Sequence, residues 1–150
     1  MLISDLNWSE WRTILERSGH EEAAVYMVRI VDAEGHVRPI ARFMATDTEG
    51  VVYIGKAENM ERRRRRFITG MLKCKGHSGG KFLNLLIRYT PFGPILTSAQ
   101  YEYRFARVAD DAEATRAEAA CILGYCMRFA EPPPLNSAVP GRYTGWKTEG

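Results

Sequence analysis

Residues Val51 to Arg66 read VVYIGKAENMERRRRR, and this stretch decides how the chain folds. The run up to Gly55 is β-branched and aromatic and closes on a glycine, which predicts a strand followed by a sharp turn. Asn59 then opens a helix as its N-cap, with Glu61 in the first turn, where negative charge suits the helix dipole. A strand leading directly into a basic helix is therefore the expected centre of the domain.

Further elements on both sides make this an α/β (α+β) chain with a small, mainly antiparallel sheet flanked by helices. Besides 51–55, strands are predicted over residues 23–31, 36–43 and 100–108, with Pro39 confining the second of these to an edge or bulge. Besides the helix from Asn59, helices are predicted over 10–17 with Ser9 as N-cap, over 82–89, and from 112 to about 130. Residues 76–80 (GHSGG) are predicted to form a flexible loop. We expect one domain over 1–150, with a core of about 23–137 and the N-terminal helix and C-terminal tail as extensions.

Helical periodicity turns several charged side chains toward the interior. Arg63 and Arg64 follow Met60 at helical spacing and fall on the apolar side of their helix. Glu118 falls on the apolar stripe of the last helix, where a buried carboxylate needs a partner or a metal ion. The alternatives are that the arginines extend their charged heads to water and that Glu118 lies at the edge of its stripe.

Positive charge is concentrated in one part of the chain. Residues 56–88 hold ten basic residues against Glu58 and Glu61, a net charge of +8, whereas the whole chain carries +3. Clustered Lys and Arg release condensed counterions when they bind a phosphate-rich partner. The pattern favours a nucleic acid as the binding partner, although a basic helix face that is simply exposed to solvent would give the same composition.

The overall composition narrows the class of protein. At 45% hydrophobic and 26% charged residues, the chain is in the ordinary globular range. Its three cysteines are an odd number, the N-terminus lacks the layout of an export signal, and no apolar run is long enough to cross a bilayer. We expect a reducing, cytoplasmic setting and no membrane partner.

Taken in order along the chain, several short motifs resemble those of the GIY-YIG nuclease family. Val25-Tyr26-Met27 stands where the family has GIY, and Tyr53-Ile54-Gly55 keeps the YIG letters. The segment YIGKAENMERR is similar to the one that follows YIG in the excision-repair incision nucleases and places Lys56, Asn59 and Arg63 at matching positions. Downstream, Glu118 on a helix and Asn136 after a proline run are similar to the family's metal-binding glutamate and later asparagine.

The resemblance implies a metal-dependent endonuclease that hydrolyses the phosphodiester bonds of DNA. Glu118 would hold one Mg²⁺ or Mn²⁺ ion, a hard cation that takes oxygen ligands. Arg63 would bind the scissile phosphate through its planar guanidinium. Tyr53 would be the general base and Tyr26 its hydrogen-bonding partner, with the opposite assignment left open, and Lys56 and Asn136 would complete the site.

Other basic residues are candidate nucleic-acid contacts. They are Arg62, Arg64, Arg65, Arg66, Lys73, Lys75 and Lys81. Many family members carry a histidine one helical turn after the arginine, where this chain has Phe67. His77 in the glycine-rich loop is the substitute we consider, and a solvated loop histidine is the alternative.

Two other functions fit the same residues. One is a non-catalytic nucleic-acid-binding module of this fold, which would be indifferent to the loss of Glu118 and to Mg²⁺. The other is a restriction or mobile-element nuclease, for which a chain of this length would need a homodimer or the insert between the two tyrosine strands to read sequence.

Overall fold

A four-stranded antiparallel sheet with helices on both faces forms the framework of the protein, which is described here over residues 5–137 of a computed structural model. The strands are β1 (Arg12–Thr13), β2 (Ala24–Val31), β5 (Val51–Ala57) and β6 (Gln100–Arg107), in the order β1-β6-β2-β5. A separate two-stranded ladder joins β3 (Ile40–Ala41) to β4 (Thr46–Asp47). The helices are α1 (Met60–Lys73), α2 (Ser78–Tyr89), α3 (Gly93–Ser98) and α4 (Asp111–Phe129). The expected mixed fold with its antiparallel sheet is confirmed.

The sheet separates two apolar cores because side chains alternate along each strand. Tyr26 and Val28 point from β2 toward α1 and α2, where they meet Phe67 and Leu83. Their neighbours Val25 and Met27 point the other way, toward Ala117, Cys121 and Ile122 of α4. The edge strand β5 therefore lies where helices from both faces of the sheet can reach it.

The predicted N-terminal helix over 10–17 is wrong. Arg12 and Thr13 instead pair with β6, and the backbone N–H of Ile14 donates to the carbonyl of Tyr101 over 2.9 Å. Ser9, the predicted N-cap, accepts the N–H of Phe105 on its hydroxyl at 3.1 Å. Sheet pairing and the burial of Ile14 outweigh the local preference for helix.

Three other boundaries differ from the prediction. Residues 36–43 do not form a strand of the main sheet: Val37 bridges to Val31, and only Ile40–Ala41 pairs, with β4. The predicted loop 76–80 is partly helical, because the His77 side chain caps α2 and starts it at Ser78. The short helix α3 after Pro91 was not predicted. The predicted C-terminal tail lies outside the described residues.

Between residues 5 and 137, no helix is both long and apolar enough to cross a lipid bilayer.

Candidate active site

A cleft of about 370 Å³ opens where α1 and α4 pass the end of β5. Its lining is mostly polar and consists of Lys56, Ala57, Glu58, Asn59, Arg62, Arg63, Arg66, Asp111 and Glu118. Three predicted catalytic residues, Lys56, Arg63 and Glu118, thus share one cavity although they come from three different elements. Arg62 and Arg66, one helical turn apart on α1, add positive charge to the same wall.

Behind the cleft, the hydroxyl of Tyr26 is held by two side chains. The Nε2 atom of His77 lies 2.6 Å from Tyr26 Oη, and Arg63 donates from Nε to the same oxygen over 3.3 Å. His77 Nδ1 lies 3.1 Å from the backbone nitrogen of Gly80, whose N–H it must accept. A neutral imidazole carries only one proton, so that proton is on Nε2 and is donated to Tyr26. Tyr26 Oη is therefore an acceptor of two hydrogen bonds.

Burial shifts the pKa of each member of this group. It lowers the pKa of His77 to about 3, with a further contribution from the Arg63 charge, so the imidazole is neutral at physiological pH. It raises the pKa of Tyr26 well above its usual range, an effect that Tyr53 adds to and Arg63 opposes. Burial also opposes the charge of Arg63, but the two tyrosines raise its pKa on balance. The positive charge of Arg63 favours the phenolate of Tyr26, but burial is the larger effect.

Tyr53 lies beside this group. Its ring centroid is 4.9 Å from that of His77 and 5.9 Å from that of Tyr26, and Tyr53 is near enough to Arg63 to help raise the pKa of the guanidinium. The structure thus brings together Tyr26, Tyr53, Arg63 and His77. His77, the candidate substitute for the missing helix histidine, is fully buried, so the alternative of a solvated loop histidine is wrong.

Glycines make room for these rings. A Cβ on Gly55 would lie 2.6 Å from the Tyr53 ring and 2.8 Å from Tyr26 Oη. A Cβ on Gly79 would lie 2.7 Å from the Tyr53 ring. Both positions therefore exclude any side chain while the tyrosines stay where they are. Sequence reasoning assigned neither glycine this role, although Gly55 belongs to the YIG triplet and Gly79 to the GHSGG run.

Gly70 and Gly80 bring α1 and α2 close together. A Cβ on Gly80 would lie 2.6 Å from the carbonyl oxygen of Phe67, and one on Gly70 would lie 3.0 Å from that of His77. Because the two helices cross so closely, the first turn of α2 and its N-cap His77 lie close to the sheet.

Glu118 is buried on the inward stripe of α4, as its spacing predicts. It lies on the opposite face of the sheet from Tyr26, yet its charge is near enough to raise the pKa of that phenol. In residues 5–137 no three His, Cys, Asp or Glu side chains gather as a metal-binding group. A carboxylate in an open polar cleft nevertheless fits Mg²⁺, which needs only one or two protein carboxylates because it commonly keeps several waters and binds substrate phosphate.

Lys56 is held by an ion pair with the first residue of α4. Its Nζ donates to both carboxylate oxygens of Asp111, over 2.7 and 2.9 Å. The N-cap itself is Asp110, which accepts the N–H of Glu113. Asp111 thus places a negative charge inside the cleft and holds Lys56 at its wall.

Asn136 lies at the free edge of β5. Its Oδ1 accepts the N–H of Ile54 over 3.0 Å, and its Nδ2 donates to the carbonyl of the same residue over 2.9 Å. The N–H of Leu135 also donates to Val52, over 2.9 Å. Asn136 therefore fixes the strand that carries Tyr53, and both ends of its amide are used for this.

The predicted nucleic-acid contacts separate into three sets. The prediction that Arg64 contacts nucleic acid is wrong, because its side chain is buried. It donates to both carboxylate oxygens of Glu61 and to the carbonyl of Ile14. Arg62 and Arg66 face the cleft. The remaining candidates are exposed but do not line the cleft: Arg65, Lys73, Lys75 and Lys81.

No family model, curated protein or solved structure that was compared with the chain matches it.

Proposed function

We propose that the chain is a metal-dependent endonuclease of the GIY-YIG type that hydrolyses phosphodiester bonds in DNA. The observation that carries this proposal is the convergence of Tyr26, Arg63 and Glu118 from β2, α1 and α4 beside one cationic cleft. Hydrolysis of a phosphodiester needs a base for the attacking water and positive charge on the phosphoryl oxygens, and these residues provide both.

Tyr26 is the better candidate for the base. As a phenolate, its Oη would take a proton from the attacking water while the donors on Arg63 and His77 stabilise the anionic oxygen. Tyr53 instead packs against the imidazole ring of His77 and raises the pKa of Arg63 less than Tyr26 does. The hydrogen bonds therefore favour exchanging the two roles expected from the sequence.

The remaining groups would bind and orient the phosphate. Arg63 carries a permanent charge at the inner end of the cleft, and Arg62 and Arg66 line its wall. Glu118 would hold one Mg²⁺ or Mn²⁺ ion, which supplies charge to the phosphoryl oxygens and the departing oxygen. Lys56 donates two of its three ammonium protons to Asp111, and the third would be free to bind phosphate.

Cleavage assays on supercoiled plasmid and on labelled single-stranded and branched DNA, with Mg²⁺ or Mn²⁺, test the proposal. We expect Glu118→Ala to lower the cleavage rate about a hundredfold or more while binding persists, because several kcal/mol of transition-state stabilisation would be lost. Glu34→Ala, which removes an exposed carboxylate from a turn, is the matched control. Binding without metal-dependent cutting on every substrate would instead establish the non-catalytic module.

A further inference from the structure

Negative charge is absent from a long central part of the sequence. No Asp or Glu occurs between Glu61 and Glu102. The same stretch contains nine basic residues, Arg62 to Arg66, Lys73, Lys75, Lys81 and Arg88, and it forms nearly all of α1 and the whole of α2 and α3. A partner of this surface gains most if it is itself negatively charged.

Several large apolar side chains are exposed on the same helices. This α2–α3 stripe consists of Phe82, Leu85, Tyr89, Phe92 and Ile95, whose exposed fractions run from 41% to 70%. Along α2 the spacing is three and then four residues, so Phe82, Leu85 and Tyr89 lie on one side of the helix, opposite the buried Leu83. Within residues 5–137, ten large apolar residues are exposed, and five of them lie between positions 82 and 95. This concentration marks the stripe as an interaction surface.

Cations flank the aromatic residues of the stripe. Lys81 directly precedes Phe82, and the Arg88 guanidinium carbon is 5.1 Å from the centroid of the Tyr89 ring. A second copy of the chain packed here would bring these cations against their own like charges, which is costly. A double helix would present its phosphates to apolar side chains. An unpaired strand satisfies both features, because its bases stack on aromatic rings while its phosphates meet Lys and Arg.

We propose that the α2–α3 stripe binds single-stranded nucleic acid, so that the enzyme acts where a substrate has an unpaired segment. This inference rests on the proposed nuclease function and specifies its substrate class. The stripe adjoins the site through α2: the N-cap His77 touches Tyr26, and Gly79 packs on the Tyr53 ring. Phe82 follows His77 by five residues, about 7.5 Å of helix rise, which a strand spans in one or two nucleotides.

Fluorescence anisotropy with a labelled 20-nucleotide single strand and the matching duplex, in EDTA so that no cutting occurs, tests the proposal. Tyr89→Ser and Phe92→Ser should each weaken binding of the single strand about five- to hundredfold and leave its salt dependence unchanged. Arg88→Gln should weaken binding and make the slope of log affinity against log salt shallower by about 0.7. Phe43→Ser and Met127→Ser, which remove equally exposed apolar groups elsewhere, are the matched controls and should bind as wild type does.

Each opposite result overturns the stripe proposal. Unchanged binding by Tyr89→Ser and Phe92→Ser, equal losses in Phe43→Ser, or equal losses on single strand and duplex would each do so. So would sedimentation showing a dimer that Tyr89→Ser dissociates, since the stripe would then be a protein interface. The two proposals fail in different ways. If binding depends on the stripe but no cutting depends on Glu118, the nuclease proposal is wrong and the stripe proposal stands. If cutting depends on Glu118 but the stripe variants cut and bind as wild type does, the stripe proposal is wrong and the nuclease proposal stands.

Discussion

Acid should destabilise this protein through His77, and the size of the effect follows from its burial. The pKa of His77 is lowered to about 3 in the folded state, against about 6.5 for an unfolded histidine. Between these values the unfolded chain binds a proton that the folded chain does not, so stability falls as the pH falls through 6.5. The linkage relation gives a loss of about 2 kcal/mol between pH 7 and pH 5. Glu61, whose pKa is lowered to about 2, loses its contribution only below about pH 4.5 and lies outside this window.

The substitution His77→Asn isolates the effect. Asparagine is a favourable N-cap whose oxygen can still accept the Gly80 N–H, but it does not titrate and is too short to reach Tyr26. Urea unfolding at pH 7, 6 and 5 should show that wild type loses about 2 kcal/mol more than His77→Asn over this range. His36→Asn, at a histidine whose side chain is 80% exposed, is the control and should follow wild type. Equal losses in wild type and His77→Asn would refute the burial of a neutral imidazole at this position.

Three further predictions concern the site and its support. Gly55→Ala should slow DNA cleavage about a hundredfold while the fold is retained, because the added Cβ would displace the rings of Tyr26 and Tyr53 by most of an ångström. Single-turnover cleavage measures the loss of rate, and circular dichroism checks that the fold is retained. Arg64→Gln should lower the free energy of unfolding in urea by about 1 to 3 kcal/mol, because the partly buried Glu61 loses its nearest charge partner and the carbonyl of Ile14 loses its donor. Arg62→Gln on the exposed side should change it by less than about 0.5 kcal/mol. Burial raises the pKa of Tyr26, so the fraction of phenolate, and with it the cleavage rate, should rise tenfold per pH unit from pH 6 to 9. Tyr26→Phe should abolish this pH dependence. A flat pH profile of the wild-type rate would exclude a phenolate base.

Periodicity and strand composition were sufficient to predict where two of the candidate site residues lie. Glu118 follows Ala114 and precedes Cys121 and Ile122 at helical spacing, and all four are buried on α4. Tyr26 lies in a strand rich in β-branched residues, which is the centre of the sheet. In both cases the pattern concerns one element only, and the nearest neighbours along the chain determine which way the side chain points.

The partners of these residues depend on contacts between elements, which the sequence does not encode locally. His77 and Tyr26 are 51 positions apart, and their hydrogen bond forms only because Gly70 and Gly80 let α1 and α2 approach closely. Arg63 and Arg64 are both on the inward side of α1, as predicted, yet one reaches a tyrosine on the sheet and the other a glutamate on its own helix. Periodicity gives the direction of each side chain, and the groups that it meets there decide its role in the structure.

Helix α2 links the two proposals physically. Its N-cap residue donates to Tyr26, its first turn packs on Tyr53 through Gly79, and its outward side carries the α2–α3 stripe. A strand bound to the stripe is thus attached to the same rigid helix that positions the base. Because an effective reaction needs the scissile phosphate within about 3 to 3.5 Å of the attacking oxygen, binding on this helix would add to catalysis by orienting the substrate as well as by retaining it. On this reasoning, stripe substitutions lower the cleavage rate at saturating substrate in addition to weakening binding, and substitutions at Phe43 do neither.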